Sequence, residues 1–316
     1  MLLAISYNRP KFCPDATWNR TAITWANNSI IGALPYGLFV SRNNTVYASG
    51  RYKHSIEIWT DGGDNYLKSI PANLSTPLSL FVTDDGYIYV DNGDKNYRID
   101  RWTMDANYSV PVMYVNQSCS GMFVDNNNTL YCSIWRCHQV IKKSLDGVTN
   151  TTAIAAGTGC AGFMLDMLYM PCGIVVSFNF TLFVADCGNN RIQRFEWGQL
   201  NGTTVAGNGA EGTVTLNCPV GVALDADEYL FIVDRGSGRV FASNLGGFRC
   251  IAGCHGTGST SDKLNWPETP AFDSYGNLFV TDCYNNRTQK FLLATNSCGK
   301  ISTIDVSVSL QFKRFY

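Results

Sequence analysis

The three histidines of this sequence, His54, His138 and His255, are the side chains best suited to bind a transition metal. Three imidazoles that converge on one point could hold Zn²⁺ and leave a fourth position for a reactive water. All three lie in polar or glycine-rich segments far apart in the chain, so only the fold could bring them together. The sequence therefore predicts no metal and no cofactor, with a zinc site at these histidines as an alternative.

Twelve cysteines form the second set of reactive side chains. No Cys-x-x-Cys pair occurs, and Cys250 and Cys254 stand alone at a spacing of four residues, so the paired ligands of a structural zinc site are missing. An even number of cysteines is typical of disulfide-bonded proteins from an oxidising compartment. We therefore expect structural disulfides.

The composition excludes several classes of function. The chain has 316 residues, with 24 Lys+Arg against 25 Asp+Glu, which provides no electrostatic basis for binding nucleic acid or an anionic membrane surface. Hydrophobic residues make up 45% of the chain, enough for a core, but no run approaches the ~18 apolar residues of a membrane span. We expect neither nucleic acid binding nor membrane insertion.

The surface has an unusual source of polarity. Charged residues account for only 16% of the chain, but eleven Asn-x-Ser/Thr sequons are present. They begin at Asn19, Asn27, Asn43, Asn73, Asn107, Asn116, Asn127, Asn150, Asn179, Asn201 and Asn286. This density indicates an N-glycosylated extracellular protein, secreted or part of a cell-surface ectodomain, although the apolar stretch at Met1–Ser6 is too short for a signal peptide.

The chain repeats one unit six times, starting at Pro35, Pro77, Cys119, Pro171, Pro219 and Pro267. Each unit reads as short apolar strands separated by turn residues, as in Leu182-Phe-Val-Ala-Asp186 followed by Arg191-Ile-Gln-Arg-Phe195. Four antiparallel strands repeated every 40 to 50 residues are typical of a propeller blade. The predicted fold is all-β, a six-bladed β-propeller of four-stranded antiparallel blades.

The repeated Pro-x-Gly-(Val/Ile) opening and the Asp-x-x-Asn-x-Arg segment, closest at Asp186–Ile192, resemble those of the NHL-repeat family of six-bladed propellers. The resemblance spans residues 19–292 and implies the fold more than a function. Some relatives are enzymes, such as zinc-dependent amidating lyases and calcium-dependent lactonases, so a secreted metal-dependent propeller enzyme is the alternative function. Others are ubiquitin ligases or RNA-binding regulators, but this chain lacks their RING ligands and a basic face.

Ring closure and cysteine pairing follow from the repeat. Asn19–Trp25 aligns with the fourth strand at Asn201–Gly207, and the last unit has no fourth strand of its own, so the N-terminal strand should close the ring. A Cys13–Cys298 bridge would lock this closure. We expect further bridges between Cys172 and Cys187, between Cys119 and either Cys132 or Cys137, and between Cys250 and Cys254. The chain divides into a leader or truncated terminus (1–12), the propeller (13–298) and a poorly ordered tail (299–316).

The sequons are concentrated on one predicted face. Seven of them lie in turns between strands one and two or three and four, which project from the same side of a propeller. The opposite face, formed by second-to-third-strand loops and blade connections, is then free for a partner. Its candidate binding residues are Tyr52, His54, Tyr97, Trp135, Arg136, His138, Arg235 and Tyr284. An aspartate followed five residues later by an arginine recurs at Asp186, Asp234 and Asp282. This repeated pattern indicates structural hydrogen bonds within each blade rather than binding residues.

These observations favour an extracellular binding module for a protein or glycan partner over an enzyme. A third interpretation is a structural spacer, a propeller that only separates other domains of a larger protein.

Overall fold

The computed structural model describes residues 8–60, 65–147 and 151–295. Within these ranges the chain forms six four-stranded antiparallel sheets arranged in a ring, which confirms the predicted six-bladed β-propeller. The first strands of neighbouring blades contact one another around the whole ring, so these strands surround its central channel.

Each blade is a meander of four strands. Blades 1 to 3 consist of β2 (Pro35–Val40), β3 (Val46–Gly50), β4 (Ile56–Thr60) and β5 (Asn65–Ile70); β6 (Leu80–Val82), β7 (Ile88–Asp91), β8 (Arg98–Trp102) and β9 (Val110–Tyr114); and β10 (Cys119–Val124), β11 (Thr129–Ile134), β12 (Gln139–Ser144) and β13 (Ala153–Ala156). Blades 4 to 6 consist of β14 (Pro171–Val176), β15 (Leu182–Asp186), β16 (Arg191–Phe195) and β17 (Thr203–Gly207); β18 (Pro219–Leu224), β19 (Leu230–Asp234), β20 (Arg239–Asn244) and β21 (Gly247–Ala252); and β22 (Pro267–Phe272), β23 (Leu278–Asp282) and β24 (Arg287–Phe291), completed by β1 (Ile23–Ala26).

The N-terminal strand closes the ring as predicted. β1 pairs antiparallel with β24, and Ile23 lies opposite Lys290. A further antiparallel bridge joins Trp18 to Leu293, so the two ends of the described chain are held together over several residues. The observed strand is shorter than the predicted Asn19–Trp25 segment.

Close approach of the inner strands explains the repeated glycine. A Cβ atom on Gly173 would lie 2.3 Å from the carbonyl oxygen of Val220, and one on Gly221 would lie 2.3 Å from that of Glu268. Real Cβ atoms do not tolerate such distances. In blades 2 and 6 the equivalent residues are Ser79 and Thr269, whose hydroxyls instead donate hydrogen bonds to backbone carbonyls of the next blade.

Helical structure is confined to connections. Two helices of four residues span Asn28–Ile31 and Gly93–Asn96, and 3-10 turns span Trp135–Cys137, Cys187–Asn189 and Cys283–Asn285. In the described part of the chain no helix has the length and apolar character needed to cross a membrane.

The described residues contain three disulfides, and they correct one predicted pairing. Cys119 bonds to Cys132, and Cys250 bonds to Cys254, as expected. Cys187 bonds to Cys218 of the next blade rather than to Cys172. The register explains the error, because Pro171 lies opposite Asp186, which puts Cys172 and Cys187 on opposite sides of that pair. The predicted Cys13–Cys298 bridge involves Cys298, which lies outside the described residues, as does the tail at 299–316.

Candidate ligand site at the upper mouth of the channel

The two ends of the channel differ. We call the end formed by second-to-third-strand loops and blade connections the upper face, and the end formed by the other turns the lower face. A cavity of about 120 Å³ lies in the channel between the inner strands. Its walls carry mainly aliphatic and aromatic side chains, among them Leu38, Leu80, Met122, Ile174 and Val222.

The N-terminal segment crosses the lower end of the channel. Asn8 donates a hydrogen bond to the carbonyl of Ser41 in blade 1, at 2.8 Å. The next residue, Arg9, donates to the carbonyl of Val176 in blade 4, on the opposite side of the ring, also at 2.8 Å. The carbonyl of Pro10 then accepts a hydrogen bond from the backbone of Ala226 in blade 5. The segment Asn8–Pro10 therefore covers the lower end of the channel.

The rim of the upper mouth is formed by the second residue of each inner-strand segment. Five of them line the channel, namely Tyr36, Leu78, Ser120, Val220 and Glu268, and the sixth, Cys172, is buried in a core cluster beside it. The first residue of each second-to-third-strand loop lies just outside them, and in blades 1 and 5 this residue is an arginine, Arg51 or Arg235. The repeat thus places equivalent positions at one mouth, and the side chains differ from blade to blade.

A buried ion pair is the main electrostatic feature of this mouth. Nη2 of Arg235 lies 2.6 Å from Oε2 of Glu268, which is only 7% exposed. Burial raises the pKa of Glu268, and the charge of Arg235 opposes that rise. Burial lowers the pKa of Arg235, but the charge of Glu268 outweighs it, so the pKa of Arg235 is raised. Among the described atoms, Oε1 of Glu268 and Nε of Arg235 have no hydrogen-bond partner.

Tyr36 adds a hydrogen-bond donor beside this pair. Burial, followed by the charge of Glu268, raises the pKa of Tyr36, so its phenol stays protonated at neutral pH. The guanidinium of Arg51 lies 5.8 Å from the Tyr36 ring centre and 5.9 Å from that of Tyr52. A phenol, a guanidinium and a buried carboxylate therefore lie within one small area of the mouth.

Exposed aromatic side chains flank the ion pair. Trp266 stacks on Tyr284 with ring centres 4.8 Å apart, and the guanidinium of Arg235 lies 5.2 Å from the Trp266 ring. Tyr52 and Tyr284 occupy equivalent positions in neighbouring blades and are 56% and 51% exposed. Flat aromatic surfaces beside buried charges are common at the centres of binding interfaces.

Two cysteines at the mouth are unreactive thiols. Burial raises the pKa of Cys172 to about 12 and raises that of Cys283 well above its usual value. The thiol is a poor nucleophile, since the thiolate is the reactive form. The Cys283 thiol also donates a hydrogen bond to the carbonyl of Pro35.

The three histidines lie apart and have structural partners. Nδ1 of His138 accepts a hydrogen bond from the backbone N–H of Met170 at 3.2 Å, and Nδ1 of His54 contacts the carbonyl of Leu74. His255 pairs with Asp262 at 3.0 Å. Within residues 8–60, 65–147 and 151–295, no three His, Cys, Asp or Glu side chains are close enough to hold a metal ion.

His54 and His138 occupy a repeated backbone position. Both adopt the left-handed conformation at the end of the second-to-third-strand loop, as do Asn190 and Asn286 in other blades. The side-chain oxygens of those asparagines accept the N–H of Cys218 and Leu34, which start the next blade. Nδ1 of His138 accepts the equivalent hydrogen bond from the N–H of Met170. A histidine can therefore occupy the position that asparagine holds in blades 4 and 6.

The repeated Asp–Arg segment is structural, as expected. Asp186 receives Nε of Arg191 at 2.7 Å, and Asp282 receives Nε of Arg287 at 2.7 Å. Both arginines also donate to carbonyls of the preceding blade connection. In blade 5 the carboxylate of Asp234 is bound by Ser237 and by the backbone of Asn217 instead.

The remaining candidates lie on the upper face but away from the mouth's ion pair. Tyr97 is exposed in the blade 2 loop, and Arg136 is exposed beside Trp135. Trp135 is half-buried and packs against a core cluster. Sequence reasoning missed Glu268 and Tyr36, although a glutamate inside an otherwise apolar inner strand could have indicated the first of them.

The comparisons with known proteins identify the fold. No protein-family model matches this sequence, and no curated protein matches it significantly. Among solved structures, an auxiliary nutrient binding protein from Bacteroides thetaiotaomicron is 17% identical, with a TM-score of 0.65 over 92% of this chain and 76% of that protein.

Two further solved structures are similar in fold. A streptogramin B lyase is 16% identical, with a TM-score of 0.61 over 86% of this chain and 97% of the lyase. A putative gluconolactonase is 13% identical, with a TM-score of 0.62 over 92% of this chain and 98% of that protein. The TM-scores show a shared fold, and identities of 13–17% leave the function open.

Proposed function

We propose that this chain is a binding module whose ligand, a protein or a glycan, docks on the upper face over the channel mouth. The asymmetry of the channel carries the proposal, because Asn8–Phe12 crosses the lower end, which favours approach of a ligand from the upper end. At the upper end, the buried Glu268 has one oxygen without a hydrogen-bond partner among the described atoms, and a ligand donor would reach it only after the surrounding side chains shift. The exposed rings of Tyr52 and Tyr284 provide apolar contact area around it.

We further propose that the protein is an extracellular, N-glycosylated propeller of the NHL-repeat type. The three disulfides support an oxidising compartment. Nine of the ten sequon asparagines in the described residues are exposed, and Asn286 is half-buried; Asn150 lies outside these residues. Six of the exposed ones lie at the lower face: Asn19, Asn43, Asn107, Asn127, Asn179 and Asn201. Glycans at these six positions would cover more of the lower face than of the upper face, where the exposed sequons are Asn27, Asn73 and Asn116 in the blade connections.

The test compares two matched pairs of exposed aromatic residues. Tyr52→Ser with Tyr284→Ser alters the upper face, and Trp197→Ser with Tyr275→Ser alters exposed aromatics in turns of the lower face. Binding is measured to immobilised defined glycans and to a panel of purified extracellular proteins. We expect the upper pair to raise Kd by about 30-fold, since two central aromatics contribute at least ~2 kcal/mol. The lower pair should leave Kd unchanged.

The opposite pattern would place the ligand on the lower face and overturn the proposal. Failure of the unaltered protein to bind any member of either panel would also count against it. Circular dichroism of all variants verifies that the serine substitutions leave the fold intact.

A further inference from the structure

A second cleft lies at the outer edge of the ring and shares no lining residue with the channel. Its volume of about 510 Å³ falls within the range of about 300–1,000 Å³ that is common for small-molecule sites. One wall is β21, the outer strand of blade 5, from Arg249 onward. The other wall is the segment that leads into β1, through Thr17 and Arg20, and the connection between blades 5 and 6 adds His255 and Asp262.

Positive charge predominates in this cleft. Arg20 is exposed and forms no ion pair with any carboxylate in the described part of the chain. Asp262 is the one carboxylate among the described residues that line the cleft, and it already has partners. It accepts a hydrogen bond from the hydroxyl of Thr260 at 2.6 Å and lies 3.0 Å from Nδ1 of His255. Two guanidiniums, those of Arg20 and Arg249, are thus set against a single carboxylate that is bonded elsewhere.

Arg249 is a partly desolvated cation. Its Nη2 donates to the carbonyl of Ala16, and its Nε is buried without a hydrogen-bond partner among the described atoms. Burial lowers the pKa of Arg249, and the charge of Asp15, which is outside the cleft lining, acts against this effect. A guanidinium that has already lost part of its hydration gains more from a bound anion than a fully hydrated one does.

The disulfide between Cys250 and Cys254 positions two of the cleft residues. Arg249 directly precedes Cys250, and His255 directly follows Cys254. The bond holds the Cα atoms of the two cysteines 5.8 Å apart, so it joins both ends of this short segment. Arg249 and His255 are therefore held on one wall before any ligand arrives, which lowers the entropic cost of binding.

We propose that this cleft binds a small ligand that carries a carboxylate or sulfate group, with Arg20 as its main contact and Arg249 as a second source of positive charge. A guanidinium can donate two parallel hydrogen bonds to either group. Thr17 and His255 provide further polar partners for a hydroxylated ligand such as an acidic sugar. This site is separate from the upper face and does not depend on the function proposed there.

An NMR titration of the folded, isotope-labelled protein tests the proposal with sodium sulfate, glucuronate and glucose as probes. Sodium chloride keeps the ionic strength constant, so that only specific effects of each anion are observed. We expect sulfate and glucuronate to shift the backbone amides of residues 249–255 in a saturable way, and glucose to leave them unchanged. Tighter binding of glucuronate than of sulfate would assign the site to an acidic sugar, and the reverse order would assign it to a sulfate group.

A matched pair of variants isolates the contribution of Arg20. Arg20→Gln removes its charge and keeps the sequon at Asn19. We expect this change to raise the Kd for glucuronate about tenfold, because a hydrogen bond between charged groups is lost. Arg42→Gln removes the same charge from an exposed arginine of blade 1 and should leave that Kd unchanged.

Three results would overturn the proposal. The first is the absence of amide shifts at residues 249–255 with both anions at millimolar concentrations. The second is an Arg20→Gln variant that binds glucuronate as tightly as the unaltered protein. The third is a set of saturable shifts at the channel mouth, around Tyr36 and Glu268, in place of those in the cleft.

Discussion

Replacing Arg191 with methionine removes the most deeply buried positive charge in the repeat while keeping a side chain of similar length. Arg191 is 1% exposed and donates to Asp186 and to the carbonyls of Phe163, Met164 and Met167. Arg191→Met leaves Asp186 buried without its charged partner. Breaking a buried ion pair from one side costs about 3–5 kcal/mol, so we expect a loss of about 4 kcal/mol in the free energy of unfolding.

The chain contains a matched control in blade 6. Arg287 makes the same bond to Asp282, but its side chain is 15% exposed and donates to two carbonyls rather than three. Water can reach this site when the guanidinium is removed. We therefore expect Arg287→Met to cost about 2 kcal/mol, roughly half the loss in blade 4.

Urea unfolding followed by tryptophan fluorescence measures both losses. With a slope of about 3 kcal/mol per M, Arg191→Met should lower the midpoint by about 1.3 M. In a double-mutant cycle, adding Asp186→Asn should recover part of the loss, because the carboxylate no longer needs a partner. A midpoint for Arg191→Met equal to or above that of Arg287→Met would refute the reasoning from burial.

Three further outcomes follow from single contacts. Burial raises the pKa of Asp234 to about 6, against 3.8 in the unfolded chain, so between these pH values the folded chain binds a proton that the unfolded chain has released. The free energy of unfolding should therefore fall by about 3 kcal/mol as the pH rises through this range. Asp234→Asn should abolish this fall in unfolding free energies measured from pH 4 to 7. Phe12 packs among three aromatic rings, 5.0–5.5 Å away, so Phe12→Ala should cost about 3 kcal/mol in urea unfolding, and an unchanged midpoint would contradict its burial. In a eukaryotic secretory host, glycopeptide mapping should find Asn179 occupied and Asn286 unmodified, because the Asn286 amide accepts the N–H of Leu34; full occupancy at Asn286 would show that this bond is dispensable.

The fold was predictable from the sequence because every blade repeats the same local signals. The apolar runs that form the inner two strands and the turn residues between them recur six times, so an error in one blade is corrected by the others. Ring closure by β1 was predictable for the same reason, since the last unit lacked a strand that Asn19–Trp25 resembled.

The candidate site was less predictable because its residues occupy positions that the repeat leaves free to vary. Arg235 was named as a binding residue, but its partner Glu268 comes from the next blade, 33 residues later. The Cys187–Cys218 bond likewise crosses between blades, whereas the predicted Cys172–Cys187 pair stayed within one. Contacts between blades depend on the angle between sheets, which the pattern within one repeat does not contain.

The pairing of β1 with β24 also sets a timetable for the newly made chain. Ile23 and its partner Lys290 are separated by 290 − 23 = 267 residues. At synthesis rates of about 5–20 residues per second, β1 waits on the order of tens of seconds before its partner strand emerges. During that interval the strands of the first five blades can pair in chain order as they leave the ribosome. β1 still lacks its partner strand throughout this time. The first strand of the described chain is thus among the last to gain its hydrogen-bonding partner, and the ring is complete only after β24 has been synthesised.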